Sequence, residues 1–382
     1  MFEQSPIERA EALAPLVQAH ADEAERERHL PAAVAAAFAK AGLYRIAMPG
    51  FCGGEEADPA TQIRTIEAVS TADGSAGWNL MIGIESFGLI APSFTQCADL
   101  IEDPMTVMCS STAAVGRADK VEGGFRVSGQ WQFVSGCHNS QLFGATVLLY
   151  ENGERIPDTT RVYALVKKPE FEIVDTWYVG GLRGSGSHDI KLDDVFVPDA
   201  HIVAPIGGAM ARNSALMRFP LGARLAYNKI GVSLGIARAA IDAFIELAEG
   251  KTPRFSSKTL RERTQAQQAV AKAEVRLRSA RALVFDEVEK MWETVLSGQR
   301  VSAKERAIFQ IACSDAAQAC AEAVDWVCDA AGTSANQTGM LLERAARDIR
   351  VIRQHVTVAS RHIEDGGRVL LGLDAQDLML KM

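Results

Sequence analysis

The run "SGQWQFVSG", residues 128–136, has the alternation of a half-buried strand. Trp131 and Phe133 fall on one face, Gln130, Gln132 and Val134 on the other, and the strand stops at Ser135-Gly136. Two flat apolar rings beside a hydroxyl can wall a planar ligand and hydrogen-bond its polar edge, and Gly136 would permit the close approach. The same run also reads as a core strand closed by a Ser-Gly turn. The other reactive side chains form no self-evident centre. Seven cysteines lack CxxC spacing and stand in apolar or helical contexts, which predicts buried, reduced packing residues. The seven histidines show neither HxxxH nor HExxH, with His355 and His362 seven apart, so no metal is expected.

Three regions must position these groups. Residues 1–103 read as an N-terminal α-helical domain, with apolar spacing of three and four in "ERAEALAPLVQAHADEAERE" and "LPAAVAAAFAKAGLYRI", broken by "MPGFCGGEEADPA". Residues 104–206 change to a period of two, in short β-rich runs divided by Gly-Gly, Asn-Gly and Pro turns. Residues 207–382 return to long helical patterns that predict a bundle, with more Ala, Leu, Val and Ile than one bundle face needs, so a homotetramer is expected.

The totals exclude several function classes. Net charge is -8, and the basic residues are scattered, which argues against nucleic acid. The N-terminus is charged and amphipathic, and no apolar run reaches the length of a membrane span; the expectation is a cytoplasmic protein with no membrane partner.

The order helix, strand, helix resembles the acyl-CoA dehydrogenase superfamily over nearly the whole chain. "MPGFCGGEEADPA", "VGGLRGSGSHDIKLDDVFVP" and "RLAYNKIGVSLGIARAAIDAF" are similar to its Pro…Gly-Gly turn, the stretch closing its β domain and its first bundle helix. The resemblance implies an α+β fold with an N-terminal α domain, a central β-barrel domain and a C-terminal four-helix bundle. It also implies a flavin held between them.

The dehydrogenases of that superfamily need a carboxylate base, and this chain resembles them least there. Ala223 stands before Arg224 at one family position of the base, and His355-Val356 fill the Tyr-Glu position that follows Arg347-Asp348. "KTPRFSSKTL" replaces the signature that helps hold the adenine half of FAD, which tilts the expected cofactor to reduced FMN, with FAD open. "VEGGFRVSGQWQFVSGCHNSQLFGATVLL" and "LLERAARDIRVIRQHVTVASRHIEDGGRVLLGL" are instead similar to the two-component monooxygenases of the 4-hydroxyphenylacetate and secosteroid-phenol hydroxylase type. Such an oxygenase takes reduced flavin from a separate NAD(P)H-dependent reductase. It reacts the flavin with O2, the co-substrate, through a C4a-hydroperoxide, and hydroxylates a small aromatic molecule.

The resemblance implies site residues one by one. Trp131 and Phe133 would wall the flavin ring, and Ser135 would hydrogen-bond its N5/O4 edge. Arg254, Thr333 and Ser334 would meet its phosphate, the Arg from a neighbouring subunit. His355, on an inward helical face, would assist oxygen transfer or steady the substrate, with Asn79 and His138 as substrate contacts. The alternatives are an acyl-CoA dehydrogenase-like FAD oxidoreductase with a relocated base, and a scaffold that has lost its cofactor.

Overall fold

A computed structural model describes residues 2–157, 162–204 and 214–382. Residues 158–161 and 205–213 lie outside the described residues.

Helices α1 (Pro6–Ala19), α2 (Ala21–Glu27), α3 (Ala32–Lys40), α4 (Pro59–Ala72), α5 (Gly74–Ile90) and α6 (Phe94–Cys97) build the first part. Their starts follow from local chemistry. Ser5 and Glu8 form a reciprocal capping box ahead of α1, and Asp58 accepts from Thr61 N at the start of α4, where Pro59 takes the first turn. Asp73 alone separates α4 from α5: it is extended, and its carboxylate accepts from Ala76 N at 2.8 Å. In "GSAGWNLMIGIESFGLI" the apolar residues run round the whole helix, and α5 is accordingly buried on nearly every side.

Strands β1 (Met108–Val121), β2 (Gly124–Val134), β3 (Leu142–Glu151), β4 (Glu154–Arg155), β5 (Val162–Lys167), β6 (Glu172–Val174), β7 (His188–Pro198) and β8 (Ile202–Val203) follow. They form one sheet in the order β6-β7-β2-β1-β3-β5-β8, with β4 on β3; β1 and β3 are parallel, and the other pairs are antiparallel. This corrects the expected closed barrel. The edge strands β6 and β8 have three and two residues, too few to ladder across the gap, and among the described residues no pairing joins them.

Helices α7 (Ala215–Arg218), α8 (Leu221–Gly250), α9 (Thr264–Leu296), α10 (Ala303–Ala331), α11 (Leu341–Arg353), α12 (Arg361–Leu370) and α13 (Leu378–Lys381) complete the chain. Helix α8 crosses α4 closely because its contact face is glycine: a Cβ on Gly231 would stand 2.9 Å from Ile63 O, and one on Gly235 2.5 Å from Ser70 Cβ. One apolar core joins the two helical parts, and a second fills the sheet. Among the described residues no helix is long and apolar enough to cross a membrane.

Candidate active site

The opening strand departs from simple alternation at its last residues. Between Trp131 and Val134, β2 carries one residue more than β7 opposite it, a bulge whose turned residue is Phe133 at φ +59°. The two rings therefore part. Trp131 points into the sheet core, wholly buried, with its ring edge on Phe143 and Nε1 donating to Thr146 O at 2.9 Å. It has no face left for a flavin, which corrects that expectation. Phe133 turns outward, 69% exposed, edge-on to Trp177.

Ser135, next along, is buried and hydrogen-bonded on two sides. Trp78 Nε1 on α5 donates to its Oγ at 3.0 Å, and Oγ lies 2.7 Å from Ser187 Oγ, which in turn lies 2.7 Å from Ser185 Oγ. Gly136 follows at φ +76°, and a Cβ there would meet Asn79 Oδ1 at 3.0 Å, so the turn requires glycine.

His355 closes the opposite side. It lies two residues beyond the end of α11, in the turn that follows, and not on a helical face as expected; the helix stops because His355 N bonds back to Ile352 O. The imidazole meets Trp78 edge to face at 5.3 Å between centroids, while Nδ1 faces Thr357 N at 3.4 Å and Thr357 Oγ1 at 3.0 Å. The amide can only donate, so Nδ1 accepts and Nε2 carries the proton. Burial, and then the charge of Lys229, push the His355 pKa down to about 3, so the ring is neutral at pH 7.

The positions of the missing base hold no carboxylate: Ala223 is buried in α8, and Val356 is exposed beside His355. Nearby buried carboxylates are committed elsewhere. Glu85 is ion-paired with Lys229, Asp73 caps α5, and Asp348 accepts from Leu182 N at 2.6 Å, holding the glycine turn. Burial raises Asp73 to about 6 and Asp348 to about 7. Arg183 braces the same turn through Glu25 O, as its place beside the glycines implies.

Other expected contacts lie elsewhere. Asn79 uses both amide protons on Ser75 O and Gly184 O, so it ties α5 to the glycine turn and has no proton for a substrate. His138 stacks on His29 at 4.4 Å and meets His188 edge-on at 4.8 Å, where α2 and α3 join the sheet. Burial, then these imidazoles, lower its pKa to about 4. It makes no hydrogen bond or ring contact with His355 or Ser135 among the described residues; its described contacts join the α2–α3 turn to the sheet. Arg254 and Thr333 are exposed and Ser334 half-buried; Lys251, three residues before Arg254, bonds Ala331 O and Ser334 Oγ through Nζ, and Phe255 stands 97% exposed. No hydrogen bond or ring contact described joins these residues to Phe133 or Ser135.

Sequence reasoning missed Trp78, Ser187 and Lys229. It also missed the Ser86–Ser110 hydroxyl pair, 2.8 Å apart between α5 and β1. A lysine in the apolar run "LAYNKIGVSLG" and a glutamate in "LMIGIESFG" were visible signals of a buried pair.

The residues present fit a flavin: an outward aromatic face at Phe133 and, two residues on, the hydroxyl of Ser135, with no charged side chain among their described hydrogen-bond and ring partners. Fold and site together define an acyl-CoA dehydrogenase-type protein lacking the dehydrogenase's base. Models of the acyl-CoA dehydrogenase N-terminal and C-terminal domains match residues 9–92 and 230–360. The indole-3-acetate monooxygenase of Pseudomonas putida is 32% identical over 93% of this chain and 90% of its own length. The oxygenase component of an FADH2-dependent resorcinol hydroxylase from Rhizobium is 29% identical over 65% of this chain and 63% of its own. The crystal structure of 3-HSA hydroxylase from Rhodococcus superposes with a TM-score of 0.88, at 24% identity and 99% coverage of both chains. The chain belongs to the acyl-CoA dehydrogenase superfamily, in its flavin-dependent monooxygenase branch.

Proposed function

We propose that this chain is the oxygenase component of a two-component system that receives reduced FMN or FAD from a separate NAD(P)H-dependent reductase and hydroxylates a small aromatic acid with O2. The observation that carries this reading is the neutral imidazole of His355, whose Nε2 has no hydrogen bond among the described residues, where a dehydrogenase needs a carboxylate. Bound reduced flavin would supply the electrons that activate O2. Phe133 would wall the ring, and Ser135 would donate its hydroxyl proton to the ring's heteroatom edge. His355 would donate Nε2–H to the substituent or developing charge on the aromatic substrate, and Trp78 with the surrounding apolar side chains would keep water out. The dehydrogenase alternative requires a free base, and Glu85 and Asp348 are both engaged. Anaerobic titration with reduced and oxidised FMN and FAD tests the reading; reduced flavin should bind more tightly, and a protein that purifies with tightly held oxidised FAD would contradict it.

The acid group is assigned to Arg224. Burial lowers its pKa, it spends one N–H on Gly88 O and another on Met217 Sδ, and the nearby Glu85 carboxylate, which favours its charge, is ion-paired with Lys229. A guanidinium of five donors placed this way can take a substrate carboxylate. Arg224→Met should raise KM for an aromatic acid by about tenfold or more, with kcat little changed and the matching amide little affected. Steady-state kinetics on the acid and its amide check this.

The reading retains the division at 103/104 and 206/207, a C-terminal four-helix bundle, cytoplasmic location and a homotetramer. Exposed Val275, Leu283 and Leu296 along α9, with Phe255 beside Arg254, support assembly and a phosphate patch that serves another copy's flavin. Light scattering at micromolar concentration should give the tetramer mass; a monomer would refute it.

A further inference from the structure

We infer that Trp78 is a positioning residue that sets both halves of the site at once, orienting the Ser135 hydroxyl through its indole N–H and seating the His355 imidazole with its ring. The inference rests on the reading of Ser135 and His355 given above, and adds a residue that reading does not use.

Three observations carry it. The first is that Trp78 is itself fixed. It lies in the first turns of α5, whose start is capped by Asp73, and the next residue, Asn79, ties the helix to Gly184 O at 3.1 Å. The second is that its one polar atom is spent on Ser135 Oγ at 3.0 Å, inside the row of hydroxyls formed with Ser187 and Ser185. Indole N–H donates and cannot accept. It therefore occupies one lone pair of Ser135. When Ser187 donates to the other, the only group Ser135 has left is its own proton, which must point to a partner outside the row. In that arrangement of the row, which the 2.7 Å contact permits, the hydroxyl is held as a donor toward whatever faces it. The third observation is that the same indole ring meets His355 edge to face at 5.3 Å and 72°. No other described side chain both hydrogen-bonds Ser135 and makes a ring contact with His355.

The two roles separate by substitution. Trp78→Phe removes the N–H and keeps a ring; Trp78→Ala removes both. Reduced-FMN affinity, measured anaerobically, reads the Ser135 role, and the ratio of hydroxylated product to hydrogen peroxide reads the His355 role. Trp78→Phe and Ser135→Ala should each weaken reduced-FMN binding by about fivefold, and the double variant should be no weaker than either single one. Trp78→Phe should keep more of the coupling than Trp78→Ala. Unchanged affinity in Trp78→Phe, or effects that multiply in the double variant, would overturn the inference. Should Trp78→Phe fail to fold, the indole N–H resonances of the unsubstituted protein and Ser135→Ala decide. One of the five tryptophan signals should shift and exchange faster in Ser135→Ala, and five unchanged signals would overturn it. Failure of the unsubstituted protein to bind any reduced flavin would instead remove the functional reading, leaving the indole resonances as the judge of the Trp78–Ser135 bond.

Discussion

His355→Ala is expected to fold and to bind reduced flavin, yet to lose hydroxylated product by about 10²-fold or more while releasing hydrogen peroxide. The reason is geometric. The imidazole has committed Nδ1 to Thr357, so Nε2–H is its one free donor, and the neighbours Trp78 and exposed Val356 have nothing to offer in its place. Oxygen still reacts, but transfer to the substrate is no longer aided. Because burial holds this histidine neutral down to about pH 3, its titration should leave no inflection in the rate between about pH 6 and 8. A kcat profile that falls with a midpoint near 6.5 and loses that midpoint in His355→Ala would contradict the neutral-donor role. Normal coupling in the variant would remove His355 from the chemistry altogether.

The largest stability effect is expected at Lys229. Its side chain is 2% exposed and paired with Glu85 Oε2, while Glu85 Oε1 has no hydrogen-bond partner among the described residues; the pair joins α8 to α5. Burial disfavours the charge on both, lowering the Lys229 pKa and raising that of Glu85, and each charge is tolerated because of the other. Lys229→Met should cost about 3–5 kcal/mol, because it strands a buried carboxylate. Replacing both, with Lys229→Met and Glu85→Leu, should recover most of that loss. Denaturant unfolding of the single and double variants checks the sign: a double variant less stable than Lys229→Met would show that the pair is worth more than the apolar contacts that replace it.

The parts of the fold legible in the sequence are those governed by periodicity. Long amphipathic runs gave the helices, and short alternating runs between Gly and Pro turns gave the strands. Three features escaped because each depends on an event that periodicity does not encode. Alternation put Trp131 and Phe133 on one face, and a single extra residue in β2 set Val134 inward in place of Phe133. A helical count put His355 on α11, and the helix ended two residues earlier. The resemblance implied a closed barrel, and the two edge strands proved too short to close it. At the proposed site, Ser135 and His355 entered through the resemblance, whereas nothing in the sequence singled out Trp78. Its role exists only because β2 and α5 bring Ser135 and the indole together across 57 positions of chain. His138 and Asn79 show the converse: both are polar residues in promising segments, and the fold uses both at joints.

The most direct test of the central claim is a single-turnover reaction in which the protein, loaded anaerobically with reduced FMN or FAD and an aromatic acid, is mixed with ¹⁸O2 and the products are weighed by mass spectrometry. The account predicts a ring-hydroxylated product carrying one ¹⁸O atom per hydroxyl introduced, with Ser135→Ala and His355→Ala shifting the yield to labelled hydrogen peroxide. A hydroxyl derived from water, or oxidation of an acyl-CoA with no reduced flavin supplied, would contradict it.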